Sequence, residues 1–238
     1  MRERPQQLAL PIERVREPTL EEYLPGPNDE ALAAIAASAT GQGEAFLYLL
    51  GQAGTGKTHL LQAACRAAHQ AGRRAHAVPL GQPDLAPQIL EGLEQMELVA
   101  LDDLDRIAGQ LPWEHALFDL FNRLRELGRT LLVAADAAPE HLGLRLADLR
   151  SRLQWGPRYR LQPLPEADCE RLLVETANRR GLELAPELVR YLMHHHARDP
   201  GSLVALVARL DRLSLQEQRQ PTIPLVRGLL SDGTEPER

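Results

Sequence analysis

Apolar residues in the first two-thirds of the chain fall into short unbroken runs, separated by stretches where they recur every three or four positions. The runs Ala45–Leu50, Leu98–Leu101 and Leu131–Ala135, with the mixed segments Ala75–Leu80 and Arg158–Leu161, predict five short strands. Between them lie helical patterns. Residues 28–39 form one, with Asn28 or Asp29 as its cap, and the Ala-rich stretch His59–Gln70 forms another, stopping near Gly72. Pro87–Leu93 reads as a short helix. Trp113–Leu127 carries apolar residues at Ala116, Leu117, Leu120, Phe121, Leu124 and Leu127, the period of a helix with one buried face. Strands alternating with helices predict an α/β fold, a parallel sheet covered by helices on both faces.

The alternation stops near residue 165. Helical patterns near 166–179, 186–196 and 201–218 follow, then a short segment, Ile223–Leu230. The expected organisation is an irregular tail over 1–27, a nucleotide-binding core over 28–164, a small all-helical domain over 165–230 and a disordered tail over 231–238. The boundary sits at Leu164-Pro165. Pro5, Pro11, Pro18, Pro25 and Pro27 keep the first tail irregular, and it is expected to dock late.

Composition narrows the function. Aromatics are only 4% of residues, so the core rests on Leu, Ala, Val and Ile. A net charge of −6 argues against DNA as the main ligand, because nucleic-acid binders usually present a basic face. No apolar run approaches the roughly 20 residues that span a bilayer. The start of the chain lacks a secretion signal, so a cytoplasmic protein without membrane contact is expected. Cys65 and Cys169 lack metal-ligand spacing and read as free thiols. His194, His195 and His196 are consecutive on a helix and point in different directions, so they offer no common metal face. Of the 27 basic residues, Lys57 is the one lysine.

That lysine lies in Gly51-Gln52-Ala53-Gly54-Thr55-Gly56-Lys57-Thr58, a complete GxxxxGK[ST] phosphate-binding loop between a strand and a helix. The glycines let backbone amides curl around phosphate oxygens, and the helix N-terminus adds partial positive charge. Lys57 supplies a compact ammonium for the outer phosphates, a task that suits a planar Arg less well. The Thr58 hydroxyl is placed to ligand Mg²⁺. Gly51, Gly54, Thr55, Gly56, Lys57, Thr58 and the following His59 are the candidate nucleotide-binding residues, for ADP or ATP. The third strand ends in Asp102-Asp103, at the sheet edge where such folds bind ligands. Asp102 is the candidate to hold magnesium, and Asp103 to orient or activate water. Asp136 ends the fourth strand and could sense the γ-phosphate. Trp113 and Trp155 read as packing residues.

With these motifs in view, nearly all of residues 1–230 resembles the AAA+ domain of the bacterial DnaA family, and more closely its Hda-type regulators. The resemblance is carried by GTGKTHLLQA (54–63), LDDLD (101–105), LLVAADAAP (131–139), SRLQWG (151–156) and TIPLVRGLL (222–230). It implies a P-loop core with parallel strand order 5-1-4-3-2 and a small helical lid. SRLQWG matches the family's box VII, which makes Arg152 the arginine finger that acts on a neighbour's nucleotide. Gln7, Leu8, Leu10, Pro11 and Ile12 resemble the QLxLP peptide that docks on the sliding clamp, the β subunit of DNA polymerase III. The chain ends at Arg238, short of the family's DNA-reading domain, so DNA contact is expected to be weak or indirect.

The resemblance therefore implies a clamp-docked regulator that stimulates hydrolysis of DnaA-bound ATP and limits re-initiation, itself holding ADP and able to form a homodimer. One departure stands out: Gly201 occupies the place of the family's lid arginine, with Arg198 about one turn earlier. Other readings stay open. The chain could be a DNA-gripping initiator or helicase loader, a stand-alone homo-oligomeric ATPase, or an adaptor without catalytic role.

Overall fold

The structure, a computed structural model, describes residues 18–196, 199–217, 219–224 and 226–227. Five strands form one sheet: β1 (Phe46–Leu50), β2 (Ala75–Pro79), β3 (Leu98–Asp102), β4 (Thr130–Ala135) and β5 (Arg158–Arg160). Their spatial order is β2-β3-β4-β1-β5 and every pairing is parallel. This is the order 5-1-4-3-2 expected from the resemblance.

Side chains alternate strictly across this sheet. Leu47, Leu49, Leu98, Ala100, Leu132 and Ala134 pack against helices α1 (Asp29–Ala39) and α2 (Lys57–Gln70). Tyr48, Leu50, Val99, Leu101, Val133 and Ala135 face α3 (Leu111–Glu126) and α4 (Ala147–Arg152). Both faces are covered at the centre, so β1, β3 and β4 read as unbroken apolar runs, whereas the outer β2 and β5 carry exposed polar residues. The helix α4 was not expected. Its six residues span less than two turns, too few for a period to show.

Two other segments depart from the sequence reading. Residues 87–95 form two short 3-10 turns, Pro87–Leu90 and Leu93–Gln95, in place of one helix. Gly92 lies between them at φ +79°, a left-handed conformation that interrupts a helix. Residues 18–28, most of them assigned to an irregular tail, form 3-10 turns at Leu20–Glu22 and Gly26–Asn28 and pack on the core.

Beyond the sheet come α5 (Glu166–Arg179), α6 (Pro186–His195) and α7 (Pro200–Glu217). These helices bury a separate cluster centred on Leu173, Leu192, Leu203, Val207 and Leu210. Among the described residues no helix is long and apolar enough to cross a membrane.

Candidate functional site

The chemistry gathers where β1, β3 and β4 end. The loop 51–56 runs from β1 into α2, and the Gly51 amide donates to the Ala135 carbonyl at the end of β4 (3.2 Å). Thr55 is buried, and its hydroxyl donates to the Gln52 carbonyl (2.8 Å), closing the turn. Gly56 caps α2 at φ +92°. A side chain there would also collide with the Tyr23 ring, 2.7 Å from an ideal Cβ. Glycine is thus required twice, by the backbone angle and by the close approach.

Lys57 opens α2 and is 6% exposed. Its ammonium donates to the carbonyls of Gly51 (2.6 Å) and Gln52 (3.2 Å) and to Asp136 Oδ1 (2.8 Å). The sequence-predicted lysine and the residue after β4 therefore form an ion pair. Asp136 is half exposed at its side chain and its backbone amide donates to Asp105 Oδ1 (3.2 Å), which ties the ends of β3 and β4 together.

Asp102 is buried as the last residue of β3, and its Oδ1 accepts the Asp103 amide (3.0 Å). Asp103 sits at φ +57°, the one positive φ outside glycine among the described residues. Such a conformation costs about 1–2 kcal/mol. Burial, then the nearby charges of Asp102 and Asp105, push the Asp103 carboxyl above its ordinary range. Thr58 is exposed on the first turn of α2, and His59 follows it half-buried. The carbonyl of Thr19 can only accept, so the His59 Nε2 carries the proton that bonds it (2.9 Å). Burial lowers the His59 pKa.

Of these, Gly54, Thr55, Gly56, Lys57, Thr58, His59, Asp103 and Asp136 line a cleft of about 480 Å³, whereas Gly51 and the buried Asp102 lie behind its lining. One end is polar, with Lys57, Thr58, Asp103, Arg106 and Asp136; the other is apolar, with Leu24, Leu164, Leu172 and Val204. Asp199, Pro200 and Gly201, where α7 begins, line the cleft too, with Asp199 against the loop at Gly54. Gly201 thus faces the cleft, while Arg198 lies outside the described residues. So do Gln7, Leu8, Leu10, Pro11 and Ile12. The donor set suits a magnesium-bound polyphosphate: a loop with Gly at φ +83° and +92°, a buried ammonium, a helix N-terminus, a hydroxyl and a carboxylate.

Three groups in this region escaped the sequence reading. Tyr23 lies over the loop, and its hydroxyl donates to the Thr55 carbonyl (3.3 Å). Burial pushes its pKa up to about 12, so it stays neutral. Asn28, expected as a helix cap, makes no cap hydrogen bond. Its carboxamide pairs both ways with the Gln162 backbone, accepting from the amide (2.7 Å) and donating to the carbonyl (3.0 Å). Glu114 on α3 is fully buried and accepts the amides of Gly109 (2.7 Å), Arg145 (3.1 Å) and Leu146 (2.6 Å), the last being the N-cap of α4.

Arg152 ends α4 and is not among the residues lining the cleft. Its guanidinium lies over the Trp155 ring, 4.1 Å from the centroid, and Arg125 lies over the same ring at 4.3 Å. Trp155 is half exposed and packs edge-on against Phe121 (6.4 Å); Trp113 is buried in the core.

The comparisons agree with this geometry. A family model of the bacterial DnaA ATPase domain matches residues 15–159, and one of the Hda lid domain matches residues 166–230. Among solved structures, domain III of the Thermotoga maritima replication initiation protein DnaA superposes with a TM-score of 0.77 at 22% identity. That match covers 92% of this chain and 97% of the other. A replication initiator DnaA bound to AMPPCP and single-stranded DNA gives 0.69 at 25% identity, covering 84% and 68%. The Thermotoga maritima RuvB Holliday junction branch migration motor gives 0.66 at 18%, covering 92% and 72%, a likeness of fold. With a P-loop cleft on a 5-1-4-3-2 sheet and a lid of the Hda kind, the chain belongs to the DnaA/Hda family of AAA+ proteins.

Proposed function

We propose that this chain is a regulatory inactivator of DnaA. It docks on the DNA-loaded sliding clamp through Gln7, Leu8, Leu10, Pro11 and Ile12, and presents Arg152 to ATP held by DnaA. The observation that carries this reading is the state of Arg152. It ends a helix outside the chain's own nucleotide cleft, lies on a half-exposed indole, and has no carboxylate partner among the described residues. A guanidinium so placed serves another molecule's anion better than its own.

Hydrolysis in DnaA spreads negative charge over the oxygens of the transferred phosphoryl group. An arginine brought in by a partner stabilises that charge and raises turnover by about 10³–10⁵. Contact with the Trp155 ring holds the guanidinium in place, and its N–H donors take no acceptor among the described residues.

The chain's own cleft holds ADP or ATP with Mg²⁺, a reading supported by the AMPPCP bound to the related DnaA. Lys57 and the loop amides take the phosphates, Thr58 and Asp102 the metal, and the apolar end beside Tyr23 and Leu164 the base. The bound nucleotide and metal would neutralise the loop and fix its shape. Asp136 must release Lys57, or share it, when phosphate enters. Gly201 gives the lid no cation of its own there, which favours ADP as a resident structural ligand over rapid turnover.

The test is hydrolysis of DnaA-bound ATP in the presence of clamp loaded on DNA. Arg152→Ala should bind nucleotide normally and lose the stimulation. Undiminished stimulation would remove the mechanism.

A further inference from the structure

We propose that Arg125 forms, with Arg152 and Trp155, one docking surface for the nucleotide-bearing face of the partner ATPase. Arg125 supplies binding and Arg152 supplies catalysis. The proposal rests on the trans reading of Arg152 given above.

The arginines around this patch divide into two kinds. Arg123 pairs with Glu94 (3.6 Å), Arg129 with Glu97 (3.6 Å) and Arg158 with Glu140 (2.9 Å). Arg125 and Arg152 have no carboxylate within ion-pairing distance among the described residues. They share one indole instead, with their guanidinium carbons 4.3 and 4.1 Å from its centroid.

Two like charges thus share one support, and an anion that reaches both relieves their repulsion. Contact with the ring uses a guanidinium's π surface and leaves its five N–H donors, and neither group donates a hydrogen bond among the described residues. Two such groups on one rigid support make a preorganised receptor for carboxylate or phosphate. The support itself is braced, because Trp155 meets the Phe121 ring edge-on at 6.4 Å.

Arg125 lies on the last turn of α3 and Arg152 on the last turn of α4. The surface thus draws on two helices that pack on the same side of the sheet. Arg125 and Trp155 themselves line a recess of about 210 Å³ whose walls also include Phe46, Phe121, Arg129 and Glu44. Such a shape suits a partner surface that offers an anion next to an apolar side chain. This chain's own cleft shows what a family member presents there: Glu22, Asp103 and Asp199, besides the Lys57–Asp136 pair and Arg106, around a loop built for phosphate, so the bound nucleotide adds further negative charge to that face. Charge complementarity therefore selects the nucleotide face of a related ATPase.

The experiment measures association directly, with fluorescently labelled, ATP-loaded DnaA titrated by this protein at low and physiological salt. The same mixtures are assayed for hydrolysis at saturating regulator. Arg125→Gln, which removes the charge without placing a carboxylate beside Arg152, should weaken binding roughly tenfold or more, flatten its salt dependence, and leave the saturating rate near wild type. Arg125→Lys should retain most of the affinity. Wild-type binding by Arg125→Gln would overturn the proposal. A fall in saturating rate at unchanged affinity would do so too, as would loss of self-association with DnaA binding intact. Arg152→Ala in the same series tests the finger separately: unchanged hydrolysis would sink that reading, while the binding data would still decide the role of Arg125.

Discussion

Replacing Glu114 by Gln tests how the helix that carries Arg152 is held. The glutamate is fully buried, and its two oxygens accept three backbone amides from outside its own helix turn. Oε1 takes Gly109 and Arg145, and Oε2 takes Leu146 at 2.6 Å. The N-cap of α4 is Leu146, which has no side-chain oxygen to satisfy the first turn, so the carboxylate from α3 fixes the approach to that helix. Glutamine has nearly the same shape but one acceptor oxygen. With that oxygen at the Oε1 position, its NH₂ faces the Leu146 amide, donor against donor. One charge-assisted hydrogen bond is lost, and the part-buried Leu146 amide is left without its acceptor. A loss of about 1.5–3 kcal/mol is expected, against about 0.5 kcal/mol for an ordinary surface change. Urea unfolding followed by fluorescence of the buried Trp113 reads this difference. A Glu114→Gln protein less than about 1 kcal/mol weaker would refute the reasoning, because the three amides would then be satisfied without the carboxylate.

Gly56→Ala should lower ADP affinity by roughly tenfold or more, since φ +92° strains any L side chain and the new Cβ meets the Tyr23 ring. Calorimetry on Gly56→Ala, Tyr23→Ala and the double variant should show the losses to be less than additive; full additivity would refute the contact. His59 has a lowered pKa in the folded protein, chiefly through burial, so the unfolded chain binds more protons as pH falls below about 6.5. Its contribution to stability is complete above that pH and is lost as pH falls toward the folded-state value. The melting temperature should therefore drop less between pH 7.5 and pH 5.5 in His59→Gln than in wild type. Equal drops would contradict this.

Much of the architecture was legible because it is written in local patterns. The P-loop, the carboxylates after β3 and β4, and the strand order implied by family resemblance all depend on residues close together in the sequence. What stayed hidden was long-range or short. Asn28 meets Gln162 across 134 positions, and nothing around either residue announces the other. Tyr23 lies among prolines and acidic residues, which read as tail, yet its ring finds the one spot on α2 where a glycine leaves room. Glu114 looks like an exposed helix carboxylate until the loop before α4 folds against it. Trp155 carries no label that separates a core indole from a platform for two arginines. Only the meeting of α3 with α4 decides it.

The account stands on polyphosphate binding by the loop around Lys57. Calorimetric titration with ADP and with ATP, magnesium present, tests this most directly. One saturable site per chain is expected, and Lys57→Ala should abolish it while leaving the melting transition cooperative. No heat of binding at millimolar nucleotide, or an unchanged isotherm in Lys57→Ala, would contradict the claim.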